Sequence, residues 1–191
     1  MEMKQEEILK KGYDIFIDAT KKLKKIKKFS DWKIVSAGTE SRRVLSVESH
    51  IKEMGQISNK QVYNIYKKAL ISIAPSSWDE PLGRLPIEAA AHGSIPITSN
   101  KGGLPETNEN GFILKHNSSD ELHKLLIKLL SNAKKLDNLS RKVYKNFSFT
   151  NKRFLNSISK VRYKNDKIKK VFLISNLNLK NKERLFYSFF N

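Results

Sequence analysis

The sequence predicts an α/β fold, a Rossmann-like parallel sheet flanked by helices on both faces. Short apolar segments that suit strands alternate with segments in which apolar residues recur at helical spacing. Glycines and polar turns separate these segments, so each strand is able to lead into a helix. This alternation is typical of parallel sheets, and ligands bind such sheets at the carboxyl ends of the strands.

The first half of the chain supplies two predicted helices and four predicted strands. Apolar residues at helical spacing predict a helix over Asp14–Phe29. A second helix over Lys60–Ala69 has Ser58 as its predicted cap. Leu70–Ala74 is a continuous apolar run, as expected of a strand buried on both faces. The other predicted strands are Trp32–Ala37, which ends at Gly38, and the weaker Val44–Val47 and His50–Met54.

The second half repeats the alternation. A polar turn over Pro75–Gly83 leads into the next helix, and a glycine loop lies at Lys101–Pro105. The predicted strands are Ile95–Thr98 and Phe112–Leu114. The predicted helices are Leu85–His92, Ser119–Leu130 and further helical segments within Lys134–Asn165.

Length and charge narrow the protein class. A chain of 191 residues suits one domain of ordinary size. It carries 37 Lys and Arg against 19 Asp and Glu, a formal net charge of +18. Such a charge favours a polyanionic partner, such as nucleic acid, a membrane surface or a phosphorylated substrate. The alternative is a surface of solvated lysines, and their spread along the chain without a dense block favours it.

The residue inventory excludes several kinds of site. The chain has no cysteine, which excludes disulfides, thiolate metal ligands and cysteine nucleophiles. Residues 1–11 are charged and do not resemble a signal peptide, and no apolar run approaches the roughly 18 residues that span a membrane. The sequence therefore predicts a soluble, cytoplasmic protein.

Pro75–Ala91 (PSSWDEPLGRLPIEAAA) is the segment richest in potential chemistry. A glycine at position 83 allows close approach of a ligand, and a helix N-terminus attracts phosphate. The amides predicted to point out of that terminus are those of Leu82, Gly83, Arg84 and Leu85. Glu80 and Glu88 suit vicinal hydroxyls, because a carboxylate accepts two hydrogen bonds. Alternatively, Glu80 is a capping or solvated loop acid and Glu88 a surface residue with a lysine partner.

Glu80–Glu88 (EPLGRLPIE) resembles the E-P-F-G-x-x-x-x-E element of retaining group 1 glycosyltransferases, also called family 4. Other motifs of the family follow in register, and the resemblance covers about residues 10 to 150. These further matches are Lys11–Asp14 (K-G-x-D), Asp31–Gly38, Tyr63–Ser76, Glu88–Pro96, Gly102–Glu106 (G-G-L-P-E) and Gly111.

The resemblance implies one half of a GT-B fold, the carboxyl-terminal half that binds a nucleotide-sugar. It implies that Glu80 positions the donor sugar and that Glu88 holds the ribose hydroxyls. It also implies that the amides of Leu82–Arg84 meet the diphosphate and that Lys11 neutralises the diphosphate as it leaves. Members of the family need no bound metal or other cofactor, and no Asp-x-Asp pair occurs here.

Three departures from the family pattern stand out. The family's arginine before the K-G lysine has no counterpart in Met3–Leu9, and Leu82 replaces the usual phenylalanine. The acceptor-binding domain that precedes this half in the family is missing from this chain. We therefore expect a donor-binding fragment that is inactive alone.

The predicted domain organisation has three parts. Residues 1–148 form the nucleotide-sugar-binding domain and residues 149–166 a C-terminal helix. Residues 167–191 form a tail in which Lys167–Ser175 (KIKKVFLIS) resembles the first strand of a following domain. Alternatively, the tail is a terminal strand that packs on the core.

Two other function classes remain as alternatives. One is a basic Rossmann-like module that binds nucleic acid or a partner protein, although the chain lacks the arginine and aromatic clusters of specific nucleic-acid readout. The other is a different GT-B member, such as an epimerase or a phosphorylase. For the preferred function, the resemblance implies cell-envelope polysaccharide biosynthesis in the cytoplasm, with peripheral contact at the inner face of the membrane as an open question.

Overall fold

The computed structural model describes residues 9–38, 49–150, 152–153 and 155–156. The chain divides into two compact units, Met1–Ser148 and Phe149–Asn191. Every strand and helix named below belongs to the first unit. In the second, helical backbone is described at residues 152–153 and 155–156. The predicted strands at Val44–Val47 and Lys167–Ser175 lie outside the described residues.

The described elements follow the predicted alternation of strands and helices. The strands are β1 (Ile34–Ser36), β2 (Ile51–Glu53), β3 (Ile71–Ala74), β4 (Ile95–Ser99) and β5 (Phe112–Leu114). The helices are α1 (Tyr13–Lys24), α2 (Asn59–Tyr66), α3 (Arg84–Ala91), α4 (Leu104–Thr107), α5 (Ser119–Leu130) and α6 (Ala133–Lys145).

Some element boundaries differ from the prediction. Helix α1 ends at Lys24, because Ile26 has an extended backbone with φ −87° and ψ 114°, and a short 3-10 turn, Lys27–Phe29, follows. The segment predicted as a glycine loop, Lys101–Pro105, overlaps the start of the short helix α4 at Leu104. The predicted cap of α2 is confirmed: Gln61 N donates to Ser58 Oγ and Ser58 N donates to Gln61 Oε1, which forms a capping box.

The strands form parallel sheets, as predicted, but they do not form a single sheet among the described residues. Strand β1 pairs with β2, while β3, β4 and β5 form a separate sheet in that order. All three pairings are parallel. The prediction of an α/β fold with parallel strands flanked by helices is therefore confirmed, and the described strands divide into two sheets.

Helix α1 begins beside the carboxyl ends of two strands that belong to different sheets. Near its start, Tyr13 Oη donates to Glu53 Oε1 at 2.8 Å, and further along, Thr20 Oγ1 lies 3.1 Å from His50 Nε2. The helix therefore runs back along β2 from its carboxyl end. Gly12, just before the helix, packs against Pro75, the residue that follows β3. The carboxyl ends of β2 and β3 thus meet at the start of α1.

The hydrophobic core lies beneath the three-stranded sheet. Strand β4 is buried at all five positions, whereas in β3 only Ser72 is buried and Ile71 and Ile73 are half-buried. The expectation that Leu70–Ala74 is a strand buried on both faces is therefore wrong in its burial. The buried core is built by side chains of α1, α3, β4, β5, α5 and α6, among them Ala19, Leu23, Ala90, Ile95, Ile97, Leu114, Leu122, Leu126, Leu136 and Val143.

Candidate functional site

The turn from β3 into α3 depends on a glycine. Gly83 has a left-handed φ of 68°, which other residues rarely adopt, and a Cβ there would lie 2.5 Å from Leu104 Cδ2, so the leucine side chain would have to shift. Helix α3 begins at the next residue, Arg84, with Pro86 in its first turn. A proline in a first turn removes an amide that has no partner in the helix. The turn therefore exposes a helix start directly after the carboxyl end of a strand.

Lys11 and Glu80 meet at this end of the sheets although 69 residues separate them. Lys11 Nζ lies 3.0 Å from Glu80 Oε1, and the same ammonium lies 5.1 Å from the centroid of the Trp78 ring. The Lys11 side chain is 52% exposed and that of Glu80 18%. The pair therefore lies at the surface, within reach of a ligand that enters from solvent.

The two glycines of the G-G-L-P-E motif support the loop that carries Glu80. Gly103 N donates to Glu80 O at 2.6 Å, and Gly102 N donates to Asp79 Oδ1 at 3.1 Å. A Cβ on Gly102 would lie 2.3 Å from Glu80 O. Both motifs are recognisable in the sequence, but their spacing along the chain gives no signal for this contact.

Glu88 is held by two donors from different elements. Tyr66 Oη donates to Glu88 Oε2 at 3.4 Å, and Arg84 Nε lies 3.4 Å from Glu88 Oε1. The suggestion that Glu88 is a surface residue with a lysine partner is therefore wrong. The Arg84 side chain contacts this carboxylate one turn along α3. Burial raises the pKa of Tyr66 above its ordinary value, and the Glu88 carboxylate raises that pKa further, so the hydroxyl remains a donor.

His92 packs beside Tyr66 and Glu88. Its ring stacks on those of Tyr63 and Tyr66, with centroids 5.3 Å and 6.1 Å apart, and its Nδ1 lies 2.8 Å from Glu88 O. These contacts give His92 a structural role in the packing around Glu88. Tyr66 is the residue that sequence reasoning missed, because it lies on a helix that precedes β3.

We expect Tyr66→Phe to lower the free energy of unfolding by about 1 kcal/mol, since it removes a donor from a partly buried carboxylate. Urea denaturation measures the change. Tyr63→Phe is the matched control, because it removes the hydroxyl of the other ring stacked on His92. Equal effects of the two substitutions would contradict a hydrogen bond that holds Glu88.

A cleft of about 1310 Å³ brings most of the predicted site residues together. Its lining includes Lys11, Glu80, Gly83, Arg84, Leu85 and Glu88. Leu82 is the only predicted site residue outside the lining, and it is 46% exposed. The described residues contain no group of three side chains able to hold a metal ion. None of the helices in the described ranges is long and apolar enough to cross a bilayer.

Comparison with known proteins assigns the family. Residues 7–146 match the family described as "Glycosyl transferases group 1". The chain belongs to this family. The matched residues include the whole cleft lining and both glutamates, so the resemblance to group 1 glycosyltransferases is confirmed.

Two relatives from Bacillus subtilis (strain 168) are matched over part of their length by the group 1 chain. The group 1 chain is 32% identical to spore coat protein SA over 98 residues, which is 49% of this chain and 26% of that protein. It is 30% identical to the putative glycosyltransferase YtcC over 159 residues, which is 74% of this chain and 38% of that protein. The chain therefore spans between about a quarter and two fifths of these relatives.

Solved structures share the fold of the group 1 chain. The C-terminal domain of the group 1 glycosyl transferase LpcC from Francisella tularensis aligns with a TM-score of 0.61 and 23% identity, over 74% of this chain and 82% of that one. Anabaena Alr3699/HepE, solved with UDP and glucose, aligns with a TM-score of 0.62 and 20% identity, over 78% of this chain and 45% of that one. These similarities confirm the predicted half of a GT-B fold.

Proposed function

We propose that this chain binds the nucleotide-sugar donor of a retaining glycosyltransferase. The observation that carries the proposal is a cleft that includes the carboxyl end of β3 and the start of α3. A lysine, two glutamates and the start of a helix line that cleft together. Lysine and helix amides suit a diphosphate, and carboxylates suit the hydroxyls of a ribose and a sugar.

Each group has a distinct role in the proposal. The amides of residues 82–85 bind the diphosphate, and Glu88 accepts the ribose hydroxyls. Glu88 is able to keep Tyr66 and Arg84 as donors at the same time, because a carboxylate offers about four acceptor positions. The donors fix the carboxylate in one orientation, which lowers the entropic cost of binding.

In the proposal, the contact between Lys11 and Glu80 is the arrangement of the site before a donor binds. In the proposal, the Lys11 ammonium turns from Glu80 to the diphosphate and stabilises its charge as the sugar is transferred. Glu80 is then available to the hydroxyls of the donor sugar. No metal is required by these roles, because a lysine and a helix terminus supply the positive charge.

The nucleotide-sugar is supported by a structural neighbour. HepE has been solved with UDP-glucose as well as with UDP, and this chain shares its fold at a TM-score of 0.60 in the UDP-glucose complex. The family match adds the reaction class.

Calorimetry with the full chain tests the proposal. We expect nucleoside diphosphates to bind, and we expect one of UDP, GDP, ADP and dTDP to bind more tightly than the others. The matching nucleoside monophosphate and nucleoside serve as comparisons. If none of the four diphosphates binds at millimolar concentration, the proposed function is wrong.

We expect Lys11→Ala to weaken diphosphate binding about tenfold, in the range for a hydrogen bond to a charged group. Nucleoside binding should change little, because Lys11 acts on phosphate. The difference should shrink as salt rises, since Lys11 is half exposed. Lys60→Ala removes an equal charge from the start of α2, outside the cleft, and is the control. Equal losses for nucleoside and diphosphate would assign Lys11 a different role.

The second part of the proposal concerns where the acceptor substrate binds. We propose that polypeptide beyond these 191 residues holds the acceptor, which is consistent with the share of the curated relatives that the chain spans. Transfer requires both substrates in near-attack geometry, a contribution of several kcal/mol. We therefore expect donor binding without sugar transfer from this chain alone. Incubation with labelled nucleotide-sugars tests this, and it also distinguishes a transferase from an epimerase or a phosphorylase by the product.

A role in cell-envelope polysaccharide synthesis, with contact at the inner face of the membrane, remains a proposal. The net charge of +18 supports the membrane contact, because an anionic bilayer attracts lysine side chains. Sedimentation with vesicles tests it. Binding to phosphatidylglycerol vesicles that salt reverses would support it, and equal binding to neutral phosphatidylcholine vesicles would contradict it.

A further inference from the structure

Trp78 is an exposed aromatic residue in the turn between β3 and α3. It is 39% exposed and is not among the residues of the hydrophobic core. It also lies outside the lining of the cleft, although Glu80, two residues further on, is part of that lining. Burial in the core therefore does not explain why this turn carries a large aromatic ring.

The turn that carries Trp78 is joined to the backbone that carries Lys11. Ser77 N donates to Lys10 O at 2.8 Å, and Ser76 Oγ donates to the same carbonyl oxygen at 3.0 Å. Trp78 directly follows Ser77, and Lys11 directly follows Lys10. The tryptophan ring and the lysine side chain therefore start from two backbone segments that hydrogen bonds hold together.

Two further segments hold the same turn. Asn117, in the loop after β5, uses Nδ2 to donate to Pro75 O at 3.1 Å and to Ser76 O at 3.0 Å. The G-G-L-P-E loop holds the residues that follow Trp78, through the two amide hydrogen bonds described above. The backbone on both sides of Trp78 is thus fixed, so its ring contacts a neighbour at a small further cost in entropy.

The Lys11 ammonium has the Trp78 ring and the Glu80 carboxylate as neighbours. Its Nζ lies 5.1 Å from the ring centroid and 3.0 Å from Glu80 Oε1. The face of an aromatic ring attracts a cation through its quadrupole and uses none of the three ammonium hydrogens. The ammonium is therefore able to exchange the carboxylate for a diphosphate oxygen while it stays beside the ring.

We propose that Trp78 is a positioning residue for Lys11, whose ammonium it holds at the cleft both before and after a diphosphate binds. The inference rests on the proposed function, because that function assigns the Lys11 ammonium to the diphosphate. Without the ring, the lysine side chain, which is 52% exposed, would sample more rotamers in solvent. Ordering of the side chain would then oppose diphosphate binding.

Calorimetry with the full chain and its preferred nucleoside diphosphate tests the proposal. We expect Trp78→Leu to weaken binding about two- to fivefold, the range for an exposed cation–π contact. Trp78→Phe keeps a ring face and should lose less, and neither substitution should change the affinity for the free nucleoside. The control is Tyr144→Leu, which removes a more exposed ring from α6, outside the cleft. Unchanged or tighter diphosphate binding by Trp78→Leu would overturn the proposal, as would an equal loss in Trp78→Phe.

A double-mutant cycle separates an action through Lys11 from a direct contact with the ligand. In the Lys11→Ala background, Trp78→Leu should have no further effect on diphosphate binding, because the ammonium that the ring holds is absent. A loss of the same size in both backgrounds would mean that the ring contacts the ligand itself, for example by stacking on a sugar. That result would overturn the proposal.

Proton NMR of the full chain without nucleotide tests the contact itself. The ε-methylene protons of Lys11 should resonate upfield of those of other lysines, because they lie near the face of the Trp78 ring. The resonance should be absent from Lys11→Ala, which assigns it, and it should return to the ordinary lysine position in Trp78→Leu. An unshifted resonance in the parent chain would overturn the proposal while leaving the donor site intact. A shifted resonance in a chain that binds none of the four diphosphates would instead overturn the proposed function, and the role of Trp78 with it.

Discussion

Gly12→Ala is expected to lower the free energy of unfolding by about 3 kcal/mol or more. Gly12 has a left-handed φ of 69°, which costs other residues about 1 kcal/mol or more. In addition, its Cβ would lie 1.8 Å from Pro75 O and 2.6 Å from Pro75 C, both backbone atoms. The chain before α1 would have to move away from the end of β3, which adds the cost of overpacking. Urea denaturation measures the loss.

Gly93→Ala is the matched control for this prediction. Gly93 has a similar φ of 80°, but its Cβ would meet nothing closer than Ser140 Oγ at 3.5 Å, an ordinary contact. It should therefore report the cost of the backbone conformation alone, about 1 kcal/mol. The excess loss in Gly12→Ala is the cost of the clash. If the two variants lose the same stability, close packing of Gly12 on β3 is contradicted.

The Gly12→Ala substitution should also affect ligand binding at the candidate site. Lys11 precedes Gly12 directly, and movement of this backbone would separate its ammonium from Glu80. We therefore expect any folded Gly12→Ala protein to bind nucleoside diphosphates more weakly. The glycine of the K-G motif thus has a structural explanation, since it permits the contact that positions the lysine.

Glu88→Gln is expected to weaken nucleoside-diphosphate binding by about 1 to 3 kcal/mol, which is about 5- to 150-fold. The substitution keeps the size of the side chain and removes its charge. It replaces one acceptor oxygen by an amide that donates, so the side chain can no longer accept from Tyr66, Arg84 and a diol together. Calorimetry with the preferred nucleoside diphosphate and its free nucleoside measures the loss. Both ligands should be affected, because both carry the ribose.

Glu106→Gln provides the control for charge. Glu106 is an exposed acid on α4 and does not line the cleft. The Glu106→Gln substitution should leave the affinities for the nucleoside diphosphate and for the free nucleoside unchanged. If Glu88→Gln also binds both ligands as the parent does, Glu88 is not part of the donor site. Since Lys11→Ala is expected to affect diphosphate alone, the two substitutions together separate the phosphate end of the ligand from its ribose end.

Local sequence determined where the elements lie. Ser58 is the predicted cap of α2, and it forms a capping box with Gln61, three residues further on. The start of α3 after Gly83 is also encoded locally, because a glycine that permits a left-handed turn marks a helix boundary without any distant contact. Such features depend on neighbours within one or two turns of the chain, so a single sequence was sufficient to predict them.

The roles of the site residues came from a motif, and their contacts came from the fold. Lys11 and Glu80 were both named from the family resemblance, but their distance of 3.0 Å depends on packing between segments 69 residues apart. Tyr66 was not named, because nothing in its local sequence links it to Glu88, which lies 22 residues further on. The support of Glu80 by Gly102 and Gly103 was missed for the same reason.

Burial and strand pairing were decided by tertiary structure alone. The apolar run Leu70–Ala74 predicted a strand, and β3 is that strand, but Ile71 and Ile73 are half-buried while β4 is buried throughout. An apolar pattern shows that a strand is able to be covered on both faces. Whether it is covered depends on which strands lie beside it, and β3 has a described strand partner on one side only. The sequence by itself therefore determined the order and type of the elements, the family and the candidate residues. Tertiary structure decided how the strands divide into sheets and which side chains meet, because both depend on contacts between residues far apart in the chain.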